Sequence, residues 1–303
     1  QRGGVSTFFN LQDASQFEAI EVLRGPNSAQ YGSDSLGGAI HMLSRVAPLG
    51  KSGWHGEFAP IYYSPAQAFG GNVLLTTGGP RYGISLNTVA RRVNTLRGAG
   101  GIESRAATTR FLGLPSNILG ERFTDTAFTQ YGGEVHAQYA VAPTRQVVFH
   151  YERSQQDGSK RWDQLLGGDG NLIANIDNLM LDFGYARFTD YQAGPFGEFS
   201  AAFSYNAQRE ERANQGGNGD PLAGIVHQYE RIGVWGTNFY ATRRFQRHVL
   251  VFGGDGYRER MAAPAFTLDP RTNTSKATRP RVPHGGLYRT YGVYLQHSLE
   301  TRG

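Results

Sequence analysis

The stretch from Phe17 to Arg45 constrains the fold of this chain more than any other part of the sequence. It reads FEAIEVLRGPNSAQYGSDSLGGAIHMLSR, in which two short apolar runs flank a region rich in Gly and Ser. The runs Glu18 to Leu23 and Ala39 to Leu43 are typical of β-strands, and Gly25-Pro26 and the segment Asn27 to Gly38 lie between them. Pro fixes φ and lacks an amide donor, whereas Gly permits positive φ. The middle part is therefore predicted to be a tightly folded, irregular connection between two strands.

A Gly-rich loop on its own indicates only a βαβ unit or a hairpin turn. The complete ordered string resembles the end of the plug domain of TonB-dependent outer-membrane receptors, whose pattern is IEVLRGPxSxLYGxxAxGGxINIxT. Gln30 stands where this pattern has an aliphatic residue, and His41-Met42 replace its Asn-Ile pair. The shared positions are Ile20-Glu21-Val22-Leu23-Arg24-Gly25-Pro26, Ser28, Tyr31-Gly32, Leu36-Gly37-Gly38 and Ile40.

The composition is compatible with a soluble β protein and with a protein that crosses a membrane as β-strands. Lys occurs only at 51, 160 and 276, and no apolar run approaches the roughly 20 residues of a transmembrane helix. The strands of a membrane barrel are apolar only at every second position, so their mean hydropathy is in the polar range. Mean hydropathy therefore does not separate a membrane barrel from a soluble β protein. Cys is absent, which excludes disulfide and thiolate-metal scaffolds. The net charge of +5 comes mainly from scattered Arg, so no nucleic-acid partner is expected.

After a short linker at Ala47 to Gly50, the chain shows runs of about ten residues with alternating side-chain character, as in outer-membrane barrels. In the clearest run Phe203 is predicted to face outward and Ser204 inward. In the run from Leu179 the apolar, outward face comprises Leu179, Leu181, Phe183 and Tyr185. The predicted strands are Trp54 to Tyr63, Phe69 to Thr77, Tyr82 to Arg91, Tyr131 to Val141, Arg145 to Gln155, Leu179 to Phe188, Phe199 to Gln208, Tyr229 to Thr242, His248 to Arg258 and Tyr288 to Leu299.

The connections between these runs alternate strictly between short and long, which places every long loop on one side of the sheet. This sidedness is typical of barrels with short periplasmic turns and long extracellular loops, and it is not expected of a soluble sandwich. The short turns are Gly78 to Arg81, Ala142 to Thr144, Thr189 to Pro195 and Arg243 to Arg247. The long loops are Val93 to Gln130, Gln156 to Asp177, Arg209 to Gln228 and Met261 to Leu287.

The resemblance implies a 22-stranded barrel with a plugged lumen. The predicted fold is therefore all-β: about ten strands of a transmembrane antiparallel β-barrel, with the C-terminal part of a lumenal plug domain. The expected division is residues 1–45 for the plug and residues 46–303 for the N-terminal half of the barrel. The chain opens at Gln1 without a signal peptide, so we expect it to be a fragment.

The function that the resemblance implies is energised uptake of a scarce, large nutrient across the bacterial outer membrane. Ferric siderophore, haem, cobalamin and glycan remain open as ligands. The implied partners are TonB with its inner-membrane energising complex, bound through an N-terminal segment absent from this sequence, and outer-membrane lipid and lipopolysaccharide. The full-length protein is expected to be a monomer. A passive porin-like channel and a soluble all-β ligand-binding module are the alternatives. No catalytic constellation is found, so no enzyme activity is expected.

The resemblance also places Arg24 and Glu21 inside the barrel lumen. A buried charge must be paired, so Arg24 is expected to contact a carboxylate of the barrel wall. The candidate partners are Glu134, Glu152 and Asp182. Such polar contacts would also let the plug shift when it is pulled.

Four residues near the long loops are candidates for ligand binding. His227 and His284 lie in or beside long loops, where an imidazole could ligate the iron of haem. Arg258 and Arg260 are predicted loop residues near the external mouth, where they would attract an anionic ligand. A solvated or lipopolysaccharide-facing surface remains the alternative for these arginines. The sequence assigns neither a metal site nor a cofactor.

Overall fold

The computed structural model of the chain describes residues 8, 11–25, 37–97, 122–123, 125–161, 164–165, 171–216 and 219–299, with the backbone alone at 122–123. Regular structure in these residues is almost entirely β-strand, and the turn Ala14–Gln16 is a 3-10 helix. No helix among them has the length and apolar character needed to cross a membrane. The irregular connection predicted for Asn27 to Gly38 lies mostly outside the described residues.

The first two strands form an antiparallel hairpin of their own. β1 (Phe17–Arg24) pairs with β2 (Gly38–Ser44), which confirms the two strands predicted in the plug-like string. Gly38 has a φ of +150°, and a Cβ at this position would lie 2.3 Å from the carbonyl oxygen of Leu23. Glycine therefore allows β2 to begin directly against β1. We call residues 11–47, where described, the N-terminal segment.

A second sheet consists of 12 antiparallel strands among the described residues. Ten of them are long, lie side by side in chain order and confirm the prediction of about ten barrel strands. The long strands are β3 (Gly53–Tyr63), β4 (Ala68–Gly78), β5 (Tyr82–Val93), β8 (Phe128–Ala142), β9 (Arg145–Lys160), β10 (Ile173–Asp190), β11 (Glu198–Gln215), β12 (Ile225–Phe245), β13 (His248–Ala262) and β16 (Leu287–Leu299). The remaining two strands of this sheet are β14 (Ala265–Asp269) and β15 (Thr274–Ala277), and β14 pairs with β12 and with β15. A separate two-stranded sheet consists of β6 (Leu96–Arg97) and β7 (Arg122–Phe123).

From β4 onward, short and long connections alternate along this barrel sheet, as predicted, whereas the connection from β3 to β4 at residues 64–67 is short and lies at the end of the long connections. Tight turns join β4 to β5, β8 to β9, β10 to β11 and β12 to β13, whereas the long connections lie at the opposite end. The predicted boundaries of two long loops are wrong. β9 continues to Lys160 and β11 to Gln215, so the residues after Gln155 and after Gln208 extend the strands. These extensions are polar on both faces, which removes the alternation by which a strand is recognised in sequence.

The strand register divides the side chains of the barrel sheet between two faces. An apolar outer face and a polar inner face are the arrangement of outer-membrane barrels. The outer face includes exposed Trp54, Phe58, Val73, Ile84, Leu86, Tyr139, Phe149, Phe203, Trp235 and Phe239. The inner face includes buried Asn72, Ser85, Asn87, Gln130, Glu134, His136, His150, Ser154 and Ser200.

β10 has the opposite orientation from the one predicted. Leu181 lies opposite Ser154 and Gln208, so it faces inward together with Leu179, Phe183 and Tyr185. Leu179 and Leu181 pack there against Leu11 of the N-terminal segment, which explains why this part of the inner face is apolar. The alternate residues of β10, including Asp182, therefore face outward.

The linker between the two sheets lies directly on the first hairpin of the barrel sheet. A Cβ at Gly83 would lie 2.3 Å from the carbonyl oxygen of Ala47, and one at Gly78 would lie 2.6 Å from that of Lys51. The absence of side chains at these two positions lets the linker backbone approach the wall. The division of the chain into domains at residues 45 and 46 stays a prediction.

The orientation of β11 is testable with two neighbouring substitutions. Phe203 is half exposed on the outer face and stacks on Trp235 at 5.4 Å between ring centroids. We expect Phe203→Arg to cost about 2 to 4 kcal/mol at mid-membrane and to block assembly. Ser204→Arg, on the inner face, should assemble far better. Heat-modifiable mobility in outer-membrane fractions of the full-length protein measures both, and equal effects would contradict the assigned faces.

Candidate functional site

The N-terminal segment rests on the inner face of the barrel sheet through a small apolar contact. Leu11 is 1 % exposed and packs against Ile176, Leu179 and Leu181 of β10, with Phe8 at the edge of this cluster. Burying an aliphatic side chain of this size stabilises the contact by about 2 kcal/mol. Because the cluster has so few members, the remaining attachment depends on polar groups.

Several hydrogen bonds join polar wall residues to the backbone of the N-terminal segment. The Gln130 side chain donates to the Leu11 carbonyl at 2.9 Å, and the Asn87 amide donates to the Gln16 carbonyl at 3.2 Å. The Ser85 hydroxyl donates to the Arg45 carbonyl at 2.8 Å, and the Gln138 amide donates to the Ala47 carbonyl. Inner-face residues of β5 and β8 thereby satisfy backbone carbonyls that would otherwise be buried without partners.

Two ion pairs join described residues of the N-terminal segment to the wall: Arg45–Glu57 at 3.1 Å, and the more buried pair between Asp13 and Arg91. The atoms Asp13 Oδ2 and Arg91 Nη1 are 3.2 Å apart, and the Asp13 side chain is 7 % exposed. Arg91 also donates to Gln130 at 2.8 Å. The other Asp13 oxygen caps the 3-10 helix by accepting from the Ser15 amide at 3.0 Å. Asp13 therefore stabilises the 3-10 helix and also attaches this helix to β5 through Arg91.

Glu134 and Glu152 lie on the inner face, as the sequence predicted, and both contact the N-terminal segment. The Ser44 hydroxyl donates to Glu134 at 3.2 Å, and the Gln12 amide donates to Glu152 at 3.2 Å. Arg24 is exposed, and none of the ion pairs among the described residues involves it. The pairing of Arg24 with a wall carboxylate stays a prediction.

Two other predicted contact residues have different neighbours. Glu21 lies beside His41 across the β1–β2 hairpin, with Glu21 Oε2 and His41 Nδ1 3.4 Å apart. Asp182 faces outward, where it accepts a hydrogen bond from the Tyr151 hydroxyl at 2.7 Å and lies 3.8 Å from Arg153. Its predicted place on the lumenal wall is wrong, because the inner positions of β10 are occupied by the apolar residues that pack on Leu11.

Glu134, His150 and Glu152 form a compact group on the inner face of β8 and β9. One oxygen or nitrogen atom from each residue lies within 4.8 Å of the other two. Glu134 is directly opposite Glu152 in the register, and His150 lies 3.7 Å from Glu152. The His150 ring also stacks on Tyr185, with centroids 5.2 Å apart. The sequence shows the alternation that places these residues inward, but not the strand register that brings them together.

The predicted ligand-binding residues do not form one site in the structure. Arg258 and Arg260 belong to β13 and face outward beside the apolar band, so their assignment to a loop is wrong. His227 belongs to β12 and stacks on Phe266 at 4.8 Å between ring centroids. His284 is exposed in a connection, where its Nδ1 accepts from the Ala263 amide at 3.0 Å. A ligand-binding role for the four residues stays a prediction.

A basic pocket that the sequence did not indicate lies at the long-loop end of β10, β11 and β12. It has a volume of about 430 Å³, and among the described residues its lining includes Arg161, Arg212 and Arg281 but no acidic residue. Glu210 forms ion pairs with Arg212 and with Arg281, the latter at 3.5 Å. Guanidinium groups therefore line the pocket, and the buried Glu210 carboxylate holds two of them in place.

An apolar outer face, a polar inner face and a folded segment seated on that inner face define a plugged outer-membrane barrel. Comparison with known proteins agrees with this class. Residues 2–39 match the family described as the TonB-dependent Receptor Plug Domain. Nothing among the curated proteins matches the chain.

Solved structures share the fold at low sequence identity. The copper transporter OprC has a TM-score of 0.73 and 13% identity, over 95% of this chain and 41% of that one. The FrpB iron transporter from Neisseria meningitidis has a TM-score of 0.64 and 11% identity, over 94% and 50%. The ferric enterobactin receptor PfeA from Pseudomonas aeruginosa has a TM-score of 0.62 and 17% identity, over 96% and 43%. The chain thus spans between about two fifths and one half of the length of these structures.

The plug match at residues 2–39 and the barrel fold of these solved structures agree with a TonB-dependent receptor of the bacterial outer membrane. The family and the structures that it matches are receptors and transporters, not enzymes.

The Asp13–Arg91 ion pair gives a prediction about the seat of the N-terminal segment. Asp13→Ala leaves the Arg91 charge largely buried with only Gln130 as partner, so we expect it to weaken the attachment by about 3 kcal/mol. The exposed Arg24 provides the comparison, since Arg24→Ala should loosen the segment less. Small-solute leakage through outer membranes that contain the full-length receptor measures the loosening. Greater leakage with Arg24→Ala would show that Arg24 carries the principal contact.

Proposed function

We propose that the full-length protein takes up a scarce, large nutrient across the outer membrane with energy supplied through TonB. The observation that supports this proposal is the polar seating of a plug-like segment on the inner wall of a barrel sheet. A passive porin-like channel has no reason to keep a folded segment on its lumenal wall. A soluble binding module has no reason to expose a continuous apolar band on its outer face.

The contacts of the N-terminal segment are suited to reversible movement. Among the described residues, the contacts other than the Leu11 cluster are hydrogen bonds and two ion pairs, and each wall group can exchange its partner for water when the segment moves. The net loss per exchanged hydrogen bond is about 1 kcal/mol, far below the desolvation penalty of leaving these groups unpaired. A modest pulling force can therefore displace the segment without unfolding the barrel, whose strands are joined by their own backbone hydrogen bonds.

The ligand that we propose is an anionic metal chelate of the ferric siderophore type. The pocket lined by Arg161, Arg212 and Arg281 lies at the long-loop end, where a ligand from outside would first meet the barrel. Guanidinium groups favour carboxylate and other delocalised anions. A ferric enterobactin receptor and an iron transporter are among the structures with this fold. Haem, which is also anionic, is the second candidate, whereas cobalamin and neutral glycans gain less from three arginines.

The partners that we propose follow from the same function. TonB and its inner-membrane complex would supply the energy, and outer-membrane lipid and lipopolysaccharide would surround the apolar band. The full-length protein would act as a monomer, because a single barrel encloses its own pathway.

The basic pocket can be tested with variants in which Arg212 remains as the partner of buried Glu210. Arg161→Gln combined with Arg281→Gln removes two guanidinium groups and should weaken ligand binding about tenfold, equivalent to roughly 1.4 kcal/mol. Arg271→Gln, in the exposed turn between β14 and β15, is the matched control. Competition for uptake between labelled ferric siderophore, haem and cobalamin in cells with the full-length receptor reports both affinity and ligand class.

Collapse of the proton gradient separates energised uptake from passive flow. Uptake by the wild-type receptor should stop when the gradient is removed, while binding to the cell surface should persist. Uptake that continues unchanged would contradict TonB-dependent transport. Equal binding by the double variant and the control would contradict the role of the pocket.

A further inference from the structure

We propose that Glu134, His150 and Glu152 bind a divalent transition-metal cation on the barrel wall, beneath the N-terminal segment. The site is separate from the basic pocket and does not depend on the identity of the transported nutrient. It lies at the inner face of β8 and β9, where the wall meets residues 12 and 44 of the N-terminal segment.

The register of β8 and β9 is the first argument for this site. Glu134 lies directly opposite Glu152, and both side chains face inward. His150 is two residues from Glu152 on the same strand, so it shares that face and lies diagonally across from Glu134. Three donor atoms held on two hydrogen-bonded strands form a nearly rigid set, which reduces the entropy lost when an ion binds.

Charge is the second argument. Two carboxylates directly opposite each other in an antiparallel ladder repel, and burial strengthens the repulsion. Among the described residues, no Lys or Arg forms an ion pair with Glu134 or Glu152, and the His150 imidazole lies 3.7 Å from Glu152. A divalent cation between the carboxylates would replace this repulsion with attraction and would leave the imidazole neutral, as a ligand must be.

The third argument is that two buried side-chain atoms of this group have no hydrogen-bond partner among the described residues. Glu134 is 2 % exposed and His150 is 3 % exposed. Glu134 Oε1 and His150 Nδ1 have no hydrogen-bond partner in the described part of the chain. Buried polar atoms without partners are uncommon, and a missing ion is one of the ordinary explanations. The unsatisfied atoms belong to two of the three residues that the register brings together.

The donor set limits the kind of ion. One imidazole and two carboxylates suit Zn²⁺, Mn²⁺ or Fe²⁺, whereas Ca²⁺ and Mg²⁺ prefer oxygen ligands alone. In a tetrahedral zinc site the ligand atoms lie about 3.4 Å apart. The group spans up to 4.8 Å, so small side-chain rotations would close it around an ion. Three protein ligands leave a fourth position for water.

Two side chains of the N-terminal segment donate hydrogen bonds to two of the proposed metal ligands. The Ser44 hydroxyl donates to Glu134 Oε2, and the Gln12 amide donates to Glu152 Oε1. Hydrogen bonds of this kind orient metal ligands and raise the affinity of the site. By thermodynamic linkage, a cation that binds more tightly when the segment is seated must in turn favour the seated position. The bound ion would therefore secure the segment against the wall.

The experiment uses the purified full-length receptor in detergent, with Zn²⁺ alone as the probe. Equilibrium dialysis and calorimetry should give one Zn²⁺ per receptor, and anomalous X-ray scattering at the zinc edge should locate it at these residues. His150→Gln and Glu134→Gln should each weaken binding by about 100-fold or more, and Ser44→Ala by about tenfold. Hydrogen exchange at residues 11–17 and 38–44 should slow with Zn²⁺ and recover when a chelator is added.

His136→Gln is the matched control, because His136 is a buried inner-face histidine opposite His150 that lies outside the donor group. It should retain full zinc affinity, and heat-modifiable mobility should show that every variant is folded. Absence of Zn²⁺ binding by the wild-type receptor at millimolar concentration would overturn the proposal. Unchanged binding by His150→Gln, or equal loss with His136→Gln, would do the same. Binding that occurs only in Arg24→Ala would also overturn it and would assign the two carboxylates to Arg24.

Discussion

The two-residue repeat of the β-strand is the constraint on which the rest of this structure depends. In a hydrocarbon layer, backbone amides and carbonyls can be satisfied only by neighbouring strands, so the sheet has to be continuous across the membrane. Once the strands are paired, every side chain faces either lipid or lumen. The outer position of Phe203 and the inner positions of Glu134 and Asn87 are consequences of the same register. No local preference of these residues would place them there individually.

The polar character of the inner face determines how the N-terminal segment is held. A wall of Ser, Asn, Gln and Glu cannot bury a large apolar surface, so it binds backbone carbonyls and a few side chains of the segment. β10 departs from this pattern, because it supplies Leu179 and Leu181 for Leu11. Among the described residues, the interface therefore combines one apolar anchor with polar contacts that water can replace, and this balance suits the movement that we propose for the segment.

The sequence was sufficient to predict the barrel strands, because each strand needs only its own alternation to be recognised. It was insufficient wherever a partner far along the chain decides the outcome. Asp182 was placed on the wrong face because the apolar residues beside it pack on Leu11, about 170 positions earlier. The Asp13–Arg91 pair and the Glu134–His150–Glu152 group depend on strand register and on the seat of the N-terminal segment. The basic pocket was missed because its arginines come from separate elements.

The glycines beneath the linker divide the N-terminal segment into ends of unequal mobility. At residues 45–51 the backbone lies on Gly78 and Gly83 with no side chain between, and its carbonyls accept hydrogen bonds from the wall. At residues 11–16 the attachment combines hydrogen bonds to the Leu11 and Gln16 carbonyls with the side chains of Leu11, Gln12 and Asp13, which can rotate away. The linker end is therefore the end that stays attached to the wall, and the other end is the one that can be released. A tether of this kind permits a swinging motion that opens a passage while the displaced element stays attached and can return to the same seat.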